Sequence, residues 1–140
     1  MEENKRSFAK AISWRITGTI CTVIVALAVT GDIMPAIKIG SVELVTKMLL
    51  YYLHERAWMQ TRWGIDRITL EEENKRSAAK SLTWRITGTI DTVIIALIVT
   101  GNITSAINIG IWEWVSKLIV YYFHERAWNM VSWGKVKIRV

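Results

Sequence analysis

The residues best equipped for chemistry stand inside apolar runs, where charge is expensive. Glu43 and Lys47 are four positions apart, and Glu113 and Lys117 repeat the pair. On a helix this spacing sets carboxylate beside ammonium, with the acid on the N-terminal side, the favourable order. At about 100° per residue, Gly40, Glu43, Lys47, Tyr51, His54 and Trp58 fall on one helix face, and Gly110, Glu113, Lys117, Tyr121, His124 and Trp128 on another. Asp91 adds a carboxylate at similar depth and is expected to meet Lys117 or Lys47. Arg15 and Arg85 complete the polar set. Two readings stay open. The pairs neutralise each other and fix how the helices rotate and pair, or they line a polar pathway or binding cavity.

A second polar group is the pentapeptide His54-Glu55-Arg56-Ala57-Trp58, which recurs as His124-Glu125-Arg126-Ala127-Trp128. A metal would need ligands converging from both copies, and His-x-x-x-His spacing is absent. No metal or cofactor is expected. The segment reads as an interface anchor, with Arg56 and Arg126 at phosphate headgroups and Trp58 and Trp128 at headgroup depth. The sequence holds no Ser–His–Asp set, no Gly-rich phosphate loop and no Cys nucleophile with a base, so an enzyme is not expected. The single cysteine, Cys21, reads as a small buried hydrophobe.

These residues need elements to hold them. Apolar runs cover residues 12–30, 33–53, 82–100 and 103–123, each near the ~20 residues that a helix needs to cross hydrocarbon. Their Ile and Val also suit strands, but strand hairpins in lipid would leave unpaired edges, so helices are expected. Thr30-Gly31-Asp32 reads as stop, turn and cap. Pro35 falls in a first turn, where its missing N–H costs nothing. Asn102 or Thr104 caps the corresponding helix. Small residues recur every fourth position at Gly18, Thr22 and Ala26 and at Gly88, Thr92 and Ala96, a ridge that lets backbones approach closely in lipid. The charged run from Glu71 to Ser77 reads as a solvated helical face at the surface or extending the third helix.

A repeat organises the whole. Residues 1–70 and 71–140 align without a gap, and 41 of the 70 paired positions are identical. Each unit holds two apolar runs, so the chain is two parallel hairpins in tandem, like a fused homodimer. Half the residues are apolar (51%), yet the net charge is +6. The basic residues cluster outside the runs, at both termini and in the central linker, while the hairpin tips carry only Lys38. The positive-inside rule then expects a multi-pass inner-membrane protein with both termini cytoplasmic. No cleavable signal is expected, because the first run lacks a small-residue cleavage site. Eight Trp suit membrane interfaces, and no nucleic-acid motif accompanies the basic charge.

Trp14-Arg15 with Gly18-Thr19, Glu43, Lys47 and His54 through Trp58, repeated at Trp84-Arg85, Gly88-Thr89, Glu113, Lys117 and His124 through Trp128, resembles a prokaryotic family of small predicted membrane proteins, domain of unknown function 2061. The resemblance covers both units and implies the membrane reading; it supplies no activity. The expected fold is an all-α integral membrane four-helix bundle of two tandem parallel-repeat helical hairpins. The expected function is a non-catalytic membrane subunit or scaffold, the alternative a channel or transporter element along the charged stripe. The expected partners are anionic headgroups at the cytoplasmic face and further copies or a larger membrane complex; nucleic acid is not among them.

Overall fold

A computed structural model describes residues 4–69 and 73–135. Glu71 and Glu72 of the charged run, and Lys137 and Arg139 of the tail, lie outside the described residues. Four helices follow in order: α1 (Asn4–Thr30), α2 (Ile33–Met59), α3 (Asn74–Thr100) and α4 (Ile103–Met130).

At the hairpin tips the helices end where the apolar runs do. Asp32 caps α2, its carboxylate accepting from the Met34 N–H at 3.0 Å. Asn102 caps α4, accepting from Thr104 and Ser105 at 2.9 and 3.2 Å. Each cap satisfies amides that a helix start leaves orphaned. The preceding helices close with Thr30 and Thr100, whose hydroxyls donate back to the Ala26 and Ala96 carbonyls at 2.7 and 2.6 Å.

At the other end, which carries the termini and the linker, every helix outruns its apolar stretch by roughly two turns. The run placed at 12–30 starts at Asn4, and the one placed at 33–53 continues to Met59. Hydropathy misses these turns because they are polar. A helix of 27 residues is about 40 Å long at 1.5 Å per residue, more than the ~30 Å of a hydrocarbon core.

The helices form a ring. α1 packs on α2 and α4, and α3 packs on the same two. Near the tips the ring is filled by Ala26, Ala36, Ile39, Ile95, Ala96, Ala106 and Ile109. All seven are at most 5% exposed, so this half of the axis is a buried apolar plug. Packing is closest where each hairpin narrows. A Cβ on Gly40 would stand 2.5 Å from Val23 Cγ2, and one on Gly110 would stand 2.5 Å from Val93 Cγ2. The small-residue ridge faces this seam: Gly18, Thr22, Ala26, Gly88, Thr92 and Ala96 are all buried.

The outside is apolar. Ile16, Ile20 and Ile24 on α1, and Ile86, Ile90, Ile94 and Ile98 on α3, stand exposed at four-residue spacing. A water-soluble bundle would hide such stripes. Helices α1 and α3 are long and apolar enough to cross a membrane.

Candidate functional site

Just above the plug, the two charge pairs meet on the axis. Glu43 and Glu113 are each only 3% exposed. Lys47 Nζ pairs with Glu43 on its own helix, and Lys117 Nζ with Glu113. Each ammonium also crosses the ring: Lys117 reaches Glu43 Oε1 at 3.0 Å and Lys47 reaches Glu113 Oε1 at 3.4 Å. Lys47 further donates to Thr92 Oγ1 at 2.9 Å. Thr22 Oγ1 lies 3.2 Å from Glu113 Oε1. The four charges thus form one cluster joining both hairpins. It is not fully satisfied. Glu43 Oε2 and Glu113 Oε2 are buried without a hydrogen-bond partner among the described residues, and such an atom costs stability in a core.

Above the cluster, towards the termini, the helices enclose a cavity of 490 Å³. Its floor is Thr22, Thr92 and the Glu–Lys cluster. Gly18 and Gly88 leave the middle of the wall open, and no floor or wall residue comes from the plug. Higher up, Trp14 meets Tyr121 edge-on with ring centroids 5.1 Å apart, and Trp84 meets Tyr51 at 5.3 Å. Arg15 and Arg85 also line this wall. The stripe read from the sequence therefore faces one interior space, from Gly40 and Gly110 at the bottom to Tyr51 and Tyr121 at the top.

Asp91 does not join the cluster as expected. Its Oδ2 accepts from Thr46 Oγ1 at 3.0 Å, on the seam between α2 and α3. It lies one position before Thr92, about 100° around the helix, and so is turned away from the axis. Cys21, its counterpart, is buried.

The two pentapeptides are also corrected. They lock one repeat to the other and do not merely anchor it. His54 Nε2 lies 2.8 Å from Thr83 Oγ1, Trp58 Nε1 donates to the same hydroxyl at 3.1 Å, and Glu55 pairs with Lys80 at 3.1 Å. The second copy matches. His124 Nε2 lies 2.8 Å from Ser13 Oγ, Trp128 Nε1 donates to it at 2.9 Å, and Glu125 pairs with Lys10 at 2.9 Å. The indole N–H groups are thus used inside the protein. Arg56 and Arg126 face outward, over the Tyr52 and Tyr122 rings.

Sequence reasoning missed Arg6 and Arg76, counted only as basic flanks. Both are buried, at 0% and 2% exposure, so the charged run around Arg76 is not simply a solvated face. Arg76 donates to the carbonyls of Trp58, Thr61 and Trp63 at 2.7, 2.8 and 2.7 Å. Arg6 does the same for Trp128, Val131 and Trp133 at 2.6, 2.8 and 2.5 Å. Each guanidinium thereby ties the last turn of the other repeat's helix to the segment that follows it. The turn below leaves no room for a side chain. Gly64 has φ +73°, and a Cβ there would stand 2.7 Å from Arg76 Cβ; Gly134 repeats this against Arg6 with φ +71°. The available signal was the recurrence, in both units, of this Arg with a Trp-Gly at 57 and 58 residues further on.

A helical ring with an apolar outside, a charged core and two helices fit to span hydrocarbon is a membrane protein by construction. The chain belongs to the family described as predicted membrane protein (DUF2061), whose profile matches residues 8–59 and again residues 78–129. No curated protein and no solved structure matches it.

Proposed function

We propose that the protein is a non-catalytic, four-span inner-membrane subunit whose axis holds a pocket open towards the termini and closed at the hairpin tips. The observation that carries this reading is the apolar plug directly beneath the Glu–Lys cluster. Seven tip-side core residues fill that half of the axis, and among the described residues no buried polar side chain lies there. Ions crossing it would lose hydration without compensation. The charges instead tie the hairpins together, as ion pairs that set helix rotation and pairing.

The orientation follows the basic residues. Exposed Arg56, Arg62, Arg67, Lys75 and Arg126 all belong to the end with the termini and linker, so this end faces the cytoplasm and anionic headgroups. α2 and α4 span beside α1 and α3, because their mid-span charges Glu43, Lys47, Glu113 and Lys117 point inward and apolar residues dominate their outer faces.

Ion and solute flux in liposomes tests the reading against a channel or transporter element. The intact protein is expected to pass nothing above empty liposomes. Glu43→Gln with Glu113→Gln is expected to lower stability without creating flux. Flux in the intact protein that this double change alters would overturn the proposal in favour of a conduction path.

A further inference from the structure

We infer that the cavity is a binding site for a phosphate-bearing anion, gripped between Arg15 and Arg85. The inference rests on the one-ended pocket proposed above and assigns it a ligand class.

Charge is the first argument. Arg15, Arg85, Lys47 and Lys117 line the cavity, against Glu43 and Glu113 only. The space carries a formal excess of two positive charges. The ammonium groups are already committed to the two carboxylates. The guanidinium groups are not: neither makes a side-chain hydrogen bond or ion pair with any described residue. Both are exposed and lie about three residues inside the terminal-side edge of their apolar runs, at about 1.5 Å per residue, so they stand on the terminal side of the cavity where an anion can reach them. An anion held there would be paired with two uncommitted guanidinium groups.

Geometry and size are the second. Arg15 and Arg85 are equivalent positions of the two repeats, so they approach the axis from opposite sides. A guanidinium offers paired N–H donors that match an oxyanion, and phosphate has enough oxygens to serve two of them. A cavity of 490 Å³ is far larger than one phosphate group. The remainder is walled by Trp14, Trp84, Tyr51 and Tyr121, which suits the organic part of an ester. The shared chemistry is a phosphate ester, which an anionic phospholipid or a water-soluble organic phosphate could present.

The test uses the full chain in neutral detergent, with native mass spectrometry and a thermal shift as readouts. The probes are phosphatidic acid, phosphatidylcholine and glycerol 3-phosphate. Saturable binding of phosphatidic acid or of glycerol 3-phosphate is expected, with phosphatidylcholine at least about ten-fold weaker. Competition by glycerol 3-phosphate against the lipid assigns the site to a soluble ester. Lipid binding without competition assigns it to a headgroup. Arg15→Gln with Arg85→Gln should weaken binding at least about ten-fold. Arg56→Gln with Arg126→Gln, outward-facing charges outside the cavity, should change it less than about two-fold. If the Gln pair does not fold, Arg15→Lys with Arg85→Lys keeps the charge and loses the fork, and should weaken binding several-fold. Binding of neither ester, binding indifferent to the change at 15 and 85, or equal loss from the change at 56 and 126 would each overturn the inference. Flux in liposomes reports separately on the one-ended pocket.

Discussion

Replacing Glu43 and Glu113 by Gln, singly and together, probes the shared charge cluster. Each ammonium reaches both carboxylates, its own helix's and the other hairpin's. After one replacement, the remaining carboxylate still faces both lysines, so each single change should cost about 1–2 kcal/mol. After both, Lys47 and Lys117 are left beside each other with no acid partner on the floor. Breaking a buried pair costs about 3–5 kcal/mol. The lysine side chains are 20% and 24% exposed, so screening holds the double change to about 4–6 kcal/mol rather than twice that figure. The coupling between the sites should exceed about 1 kcal/mol. The quadruple variant Glu43→Gln, Lys47→Met, Glu113→Gln, Lys117→Met removes all four charges and should recover to within about 2 kcal/mol of the parent. Urea unfolding in micelles, followed by tryptophan fluorescence, reads all of these. Single costs that merely add, or a double change costing less than about 1 kcal/mol, would refute the shared cluster.

Three further outcomes follow from other contacts. Arg6→Ala should destabilise by about 3 kcal/mol, since three carbonyls lose a charged donor, and hydrogen exchange should rise at the end of α4, not in α1 where the substitution lies; Arg76→Ala should act likewise on the end of α2. Gly40→Ala forces Val23 aside and should cost about 1–3 kcal/mol by overpacking, read by the same urea titration, with Gly110→Ala matching it. The linker carboxylate of Asp66 accepts the Thr69 and Ile68 amides, which hold it below the ordinary aspartate range. Its contribution is therefore present above the unfolded-state pKa and lost as pH falls through the lowered folded value, so Ile68 and Thr69 amide protection should drop only in acid.

Much of the architecture was legible because lipid imposes simple rules. The gap-free repeat fixed two equivalent hairpins, and the tip residues Asp32 and Asn102 announced the helix starts. Glu43, Lys47 and Tyr51 share a face by spacing alone, so their convergence needed no tertiary knowledge. What stayed hidden depends on which helix neighbours which. Spacing could show that His54 and Trp58 face inward. It could not show that Thr83 of the next repeat awaits them. Arg6 and Arg76 looked like ordinary basic flanks because their burial comes from the far end of the other repeat's helix. Asp91 was misassigned for a related reason. Depth placed it level with the lysines, but its position beside Thr92 turns it to the seam with α2, where Thr46 takes it. The floor of the pocket could be read from the sequence, while the plug that closes it required the ring.

The central claim, a pocket open at one end only, is tested most directly by thiol accessibility from each side of the membrane. In a Cys21→Ala background, single cysteines at Gly18, Tyr51, Ala26 and Ala36 would be challenged with a membrane-impermeant maleimide in vesicles of known orientation. Labelling of 18 and 51 is expected from the side of the termini alone, and none of 26 or 36 from either side. Labelling of 26 or 36 from the side of the hairpin tips would contradict it, because water would then reach the axis through the plug.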